Sequence, residues 1–150
     1  MECQPELMTD AEFARAFETC ELPGQVFRHR EHVRLTFIYL RLYGFEGARA
    51  RIAEAIRRYA AHNGAPRKYH VTITFAWMRI VNEAAAGVED GGGFAEVIAA
   101  FPHLLNKGEL QKYYSDALLG SETARASFVE PDREPLPEVA RNGFARQGKF

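Results

Sequence analysis

The sequence has few cysteines and no long apolar run. Its two cysteines, Cys3 and Cys20, are too few for a disulfide framework and lack zinc-finger spacing, so we expect two free thiols. No uninterrupted apolar stretch approaches the roughly 18 residues that a membrane span needs. No basic segment followed by an apolar run opens the chain. These absences predict a cytoplasmic protein that makes no membrane contact.

The sequence also lacks an excess of charge of either sign. Its formal net charge is −1, and its arginines alternate with glutamates instead of forming a block. The basic footprint of a nucleic-acid-binding protein is therefore missing. We expect a small-molecule substrate rather than a polyanion as the partner, and the sequence leaves a homodimer open.

Several common catalytic and phosphate-binding motifs are absent. There is no serine within G-x-S-x-G and no pair of carboxylates at a recognisable spacing. The glycine-rich segment 87–93 lacks a preceding strand and a Gly-Lys-Ser/Thr ending, so we interpret it as a linker. Glu31 falls on the outer face of its helix, so His29 and His32 do not form an HExxH protease motif.

What the sequence does contain is helical periodicity, without an alternating strand pattern. A capping box formed by Thr9 and Glu12 predicts the start of the first helix, and Gly44 predicts the end of the second. The β-branched segment 71–74 makes a short strand an alternative there. We favour a helix because the inward-facing pattern continues through Trp77, which we interpret as core.

These patterns predict an all-α fold: a single-domain helical bundle of five to seven helices with an extended C-terminal tail. The helical domain is assigned to residues 1–130. Prolines accumulate in residues 131–150, which we assign to an extended or disordered tail. Residues 1–8 are expected to form a mobile leader.

Two segments place histidine where a core residue is expected. On a helix that begins near residue 29, His29 and His32 lie on the inner face, within about 80° of each other. Arg30 and Arg34 fall on the opposite face, which we interpret as solvated. His70 takes the inner arc of a later helix. The pattern predicts that imidazoles from two helices point at a common space.

Three imidazoles on facing helices suit a divalent transition metal such as Zn, Fe, Ni or Cu. We predict His29, His32 and His70 as its ligands, with an open position where the metal activates water or a small organic substrate. Tyr69 and Thr74 lie close to His70 in sequence and are assigned with it to the catalytic group. The leading hypothesis is a small metal-dependent enzyme.

Two other functions stay open. Without a metal, His70 is the general base, and His32 or Tyr69 orients a hydrophobic small molecule, because imidazole titrates near neutral pH. Alternatively, the domain is a non-catalytic module that binds a small molecule or a protein through an apolar groove and the tail after Val129. Any single histidine is most simply a hydrogen-bonded core residue.

The two histidine segments resemble those of a group of small bacterial all-helical proteins of unassigned function. The likeness lies in F-x-H-x-x-H-V-R-L at residues 27–35 and K-Y-H-x-T-I-T at residues 68–74. The resemblance implies that His29, His32 and His70 act as a set, and it implies no reaction. Glutamate commonly follows the third histidine in that group, whereas this chain has Val71. A role for a carboxylate at that position is therefore not implied here.

Overall fold

The computed structural model describes residues 3–88 and 92–139. Within these ranges the chain forms six α-helices joined by loops and short 3₁₀ turns, with no β-strand. The helices are α1 (Asp10–Glu18), α2 (His29–His62), α3 (Val71–Ala86), α4 (Phe94–Ala100), α5 (Asp116–Leu119) and α6 (Glu122–Ala126). The predicted all-α fold is confirmed. None of these helices combines the length and the apolar composition needed to cross a bilayer.

Three of the predicted segments extend beyond the described residues. The first two residues of the leader, the centre of the glycine-rich linker at 89–91, and residues 140–150 of the tail lie outside them. The predictions for those positions stay predictions.

Helix α1 begins at the predicted capping box. The Glu12 amide donates to Thr9 Oγ1 at 3.1 Å, and the Thr9 amide donates to the Glu12 carboxylate at 2.9 Å. Each residue thus gives the other's backbone amide an acceptor. The helix then buries Phe13 and Phe17 completely in the core.

Arg34 of α2 holds the segment that precedes α1. Its guanidinium donates to the carbonyls of Pro5 at 2.8 Å and Met8 at 2.7 Å, and to the Asp10 carboxylate at 3.0 Å. The guanidinium also lies 4.6 Å from the centre of the Phe13 ring. This corrects the expectations of a mobile leader and a solvated Arg34. The helical wheel shows that Arg34 faces away from the histidines, but not that the chain folds back over it.

Helix α2 is broken where the sequence predicts an end. Gly44 has φ 76° and ψ 172°, a conformation that is nearly exclusive to glycine, and the helix resumes directly after it. The second half ends at His62, and the left-handed Gly64 (φ 72°) follows. The Ala65 amide then donates back to the Ala60 carbonyl at 2.9 Å, which turns the chain toward α3.

Helix α3 covers the β-branched segment that left a strand possible. It begins at Val71 and packs along α2, with Ala76, Trp77 and Met78 each at most 1% exposed. Packing against α2 outweighs the local strand preference of residues 71–74 because the inward face continues for the whole helix. The interpretation of Trp77 as a core residue is confirmed.

The C-terminal part of the described chain is extended, as predicted, but it packs on the helices. Leu136 is 3% exposed, and the Arg79 side chain of α3 donates to the Pro137 carbonyl at 2.8 Å. The Asp132 carboxylate accepts from the Ser115 hydroxyl at 2.6 Å. Residues 131–139 therefore form part of the wall of the domain.

Candidate functional site

His29 is the first residue of α2, at a helix start that Glu31 stabilises. The Glu31 carboxylate accepts from the Arg28 amide at 2.9 Å, and Glu31 is only 9% exposed. This corrects the prediction that Glu31 faces outward. Backbone amides at a helix start have no partner within the helix, and the Glu31 carboxylate turns back to accept from one of them. The carboxylate is engaged within its own turn.

The His29 ring joins the start of α2 to the turn that follows α4. Its Nε2 lies 2.9 Å from the carbonyl oxygen of Leu104. A carbonyl only accepts, so Nε2 carries the proton and the neutral tautomer is fixed. The ring also packs edge-on against Trp77, with centroids 4.7 Å apart. Burial lowers the pKa of His29, and the hydrogen bond to Leu104 partly opposes that shift.

His70 lies one residue before α3 and caps it. Its Nδ1 accepts from the Ile73 amide at 3.1 Å, and its Nε2 donates to the Leu119 carbonyl at 2.7 Å. Both ring nitrogens are therefore engaged with the backbone. His70 therefore lacks the free ring nitrogen that the predicted metal ligand or general base needs. We no longer assign it the role of general base, since it would first have to give up a helix cap.

His32 differs from the other two histidines because its ring has no hydrogen-bond partner among the described residues. It lies one turn after His29. Its ring makes a T-shaped contact with the Phe27 ring, and the two ring centroids are 6.3 Å apart. Burial, with a smaller contribution from neighbouring His29, lowers the pKa of His32 to about 4. The ring is thus neutral at physiological pH, with one donor and one acceptor nitrogen available to a ligand.

The three histidines are among the residues that line one cleft. It has a volume of about 690 Å³ and lies between the start of α2, the end of α2 and the start of α3. Apolar side chains form much of its surface: Phe27, Ile56, Tyr59, Ala60, Ala65 and Ile73. A concave apolar surface with a few converging polar groups is the usual form of a small-molecule site.

Of the two other residues assigned to the catalytic group, Thr74 lines the cleft and Tyr69 does not. Thr74 is 3% exposed and lines the cleft, and its hydroxyl has no hydrogen-bond partner within residues 3–88 and 92–139. Tyr69 does not line the cleft. Tyr69 ends the Pro66–Lys68 turn and precedes the cap of α3, and its position next to His70 in sequence does not bring it into the lining. Thr74 is retained as a site residue and Tyr69 is not.

The histidines do not form a metal-ligand group. In the part of the chain that the structure describes, no three His, Cys, Asp or Glu side chains are arranged to hold an ion. Both ring nitrogens of His70 are hydrogen-bonded to the backbone, and His29 Nε2 is hydrogen-bonded to the Leu104 carbonyl. The three-histidine metal centre stays a prediction that this geometry does not support. We derive no chemistry from it.

Comparison of the chain with protein-family models, with curated proteins and with solved structures finds no match.

Sequence reasoning missed the residues that complete the cleft. The carbonyls of Leu104 and Leu119 lie 75 and 49 positions from the histidines that they bind, and no local pattern signals such contacts. Lys107, which also lines the cleft, had no signal either. Phe27 and Lys68 did have one, since both belong to the two segments that contain the histidines.

Proposed function

We propose that this domain binds a small organic molecule in the histidine-lined cleft, with His32 and Thr74 as its polar contacts. The observation that carries the proposal is that some polar side chains of the cleft are hydrogen-bonded to the backbone and others are not. His29 and His70 are engaged with the backbone, whereas His32 and Thr74 have no partner among the described residues. Polar groups that face a cleft without a protein partner are available to a ligand or to water.

The size and lining of the cleft support the proposal. A volume of about 690 Å³ falls within the range of roughly 300–1,000 Å³ that is common for small-molecule sites. The residues that shape it come from α2, α3 and the connecting turns, and hydrogen bonds hold these elements together. Tyr59, for example, donates from its hydroxyl to the Leu22 carbonyl at 2.7 Å. A site with fixed walls loses little entropy when its ligand binds.

Acid–base catalysis on the bound molecule is a second candidate function, and the unpartnered ring of His32 favours it. With a pKa of about 4, His32 is a weak base at neutral pH. A negative charge beside the ring would raise that pKa toward the useful range. In this second candidate function, His32 rather than the predicted His70 is the general base, and Thr74 orients the substrate.

Dye binding to a plugged cleft tests the proposed function. The neutral dye N-phenyl-1-naphthylamine and the anionic dye 8-anilinonaphthalene-1-sulfonate both fluoresce when they leave water for an apolar site. Ala65→Trp would fill the cleft from a loop position, and Ala61→Trp, an exposed position outside it, is the matched control. We expect at least one dye to bind the wild type and Ala61→Trp, and to bind Ala65→Trp about tenfold more weakly.

The opposite results would overturn the proposal. If neither dye binds the wild type, the cleft does not accept ligands of this size. If Ala65→Trp binds as well as Ala61→Trp while its circular dichroism spectrum is unchanged, the dye lies elsewhere.

A further inference from the structure

The charges around the cleft point to the class of ligand. Its lining includes three cationic residues, Arg28, Lys68 and Lys107, and no aspartate or glutamate among the described residues. The chain as a whole has 20 acidic and 19 basic residues, so this local balance is unusual. We infer that the ligand is an organic anion: an apolar body inside the cleft and one anionic group between Lys68 and Lys107. This inference rests on the proposed function.

A second concave surface of the same protein has a different charge balance. The hollow between the N-terminal segment, the start of α2 and α4 also contains two arginines, Arg30 and Arg34. It contains at least as many acids, however, and Arg34 is paired with Asp10 at 3.0 Å. The arginines of this hollow thus have acidic residues in the same lining, whereas no described aspartate or glutamate lines the histidine-lined cleft.

The two lysines are free to bind an anion. Within residues 3–88 and 92–139, neither Lys68 nor Lys107 forms an ion pair or a hydrogen bond through its ammonium group. They belong to separate turns, Pro66–Lys68 before α3 and Lys107–Lys112 after α4. Lysine has a flexible stem that carries a compact charge, so both ammonium groups can reach a ligand in the cleft that they line.

The geometry places the positive charge beside the histidines. Lys107 is close enough to His29 for its charge to disfavour protonation of that ring. An anion held near Lys107 therefore also lies near the start of α2, where His29 and His32 are one turn apart. Backbone amides at the start of α2 add a partial positive charge at the same end, and the negative charge of Glu31, which also acts on His29, opposes it.

The apolar lining sets the other half of the ligand's chemistry. Phe27, Ile56 and Ile73 offer nothing to an inorganic ion, and burying them against a hydrophobic body is favourable. Three cations are also too few to match a polyanion. An apolar body with one carboxylate, phosphate or sulfonate fits both parts of the cleft.

The two dyes test this inference because they differ in one sulfonate group. We expect 8-anilinonaphthalene-1-sulfonate to bind the wild type about tenfold more tightly than N-phenyl-1-naphthylamine. In the double variant Lys68→Gln, Lys107→Gln, affinity for the anionic dye should fall about fivefold, while affinity for the neutral dye stays the same. Lys112→Gln is the matched control for the single variant Lys107→Gln, since it removes the same charge from the same turn but outside the cleft.

Each outcome separates this inference from the proposed function. If both dyes bind equally, or if the double variant and Lys112→Gln behave alike, the anion inference fails while the cleft remains a binding site. If neither dye binds, the proposed function fails first. Each lysine variant measured singly, with its circular dichroism spectrum, shows whether a loss of binding reflects charge or misfolding.

Discussion

Replacing His32 with a side chain that does not titrate should remove one component of the protein's acid sensitivity. The native state holds His32 neutral down to about pH 4, because burial lowers the pKa of this ring from 6.5 to about 4. The unfolded chain binds a proton at the ordinary pKa. Between these values the unfolded state binds more protons, so the free energy of unfolding falls as the pH falls.

The shift in the pKa of His32 sets the size of this effect. A difference of one pKa unit corresponds to about 1.4 kcal/mol, so His32 alone destabilises the native state by at most about 3 kcal/mol once the pH reaches about 4. His29 acts in the same direction, because burial also lowers its pKa. The loss begins near the unfolded-state value and is complete below the native-state value.

Urea denaturation at a series of pH values measures the effect. Between about pH 7 and about pH 4, the free energy of unfolding of the wild type should fall by up to about 3 kcal/mol more than that of His32→Gln. Acid-sensitive groups that do not interact with His32 contribute equally to both proteins, whereas the titration of His29 is coupled to that of His32. His62→Gln, at an exposed position in the last turn of α2, controls for the loss of a histidine as such. Parallel curves for the wild type and His32→Gln would refute the assignment of a neutral His32 with a lowered pKa.

Three further substitutions test how the fold supports the cleft, each by chemical denaturation at neutral pH. Arg34→Met should cost about 2–3 kcal/mol, because it leaves the Pro5 and Met8 carbonyls without their donor; a change under about 0.5 kcal/mol would mean that Arg34 does not hold the N-terminal segment. Gly44→Ala should cost about 1–3 kcal/mol, because a β-carbon is strained at φ 76° and ψ 172°, and an unchanged midpoint would place the break elsewhere. Leu136→Ala should cost about 2–3 kcal/mol if residues 131–139 belong to the domain, whereas a neutral effect would show that this segment is not docked.

The elements that local sequence determines were predictable. Thr9 and Glu12 satisfy each other's amides within one turn, so the start of α1 needs no tertiary information. Gly44 breaks α2 because its backbone conformation excludes other residues. The all-α fold follows from the same kind of local pattern, repeated along the chain.

The state of the candidate site was only partly predictable. The helical wheel places His29 and His32 on one face, and the structure brings them to one cleft with His70. Whether each ring nitrogen is free depends on carbonyls that are distant in sequence, Leu104 for His29 and Leu119 for His70. Periodicity carries no information on such contacts. The sequence therefore predicts three equivalent ligands, whereas in the structure two histidines are hydrogen-bonded to the backbone and one ring has no partner among the described residues.

The difference between the histidines also allows the most direct test of the proposed site. Imidazole ¹⁵N resonances report the tautomer, the protonation state and the ligand contacts of all five histidines in one spectrum. The spectrum is recorded on wild-type protein during titration with 8-anilinonaphthalene-1-sulfonate. We predict neutral rings with the proton on Nε2 for His29 and His70. On saturation with the dye, the His32 signal should move, whereas the signals of the exposed His62 and His103 should not. A His32 signal unmoved by bound dye would contradict the account.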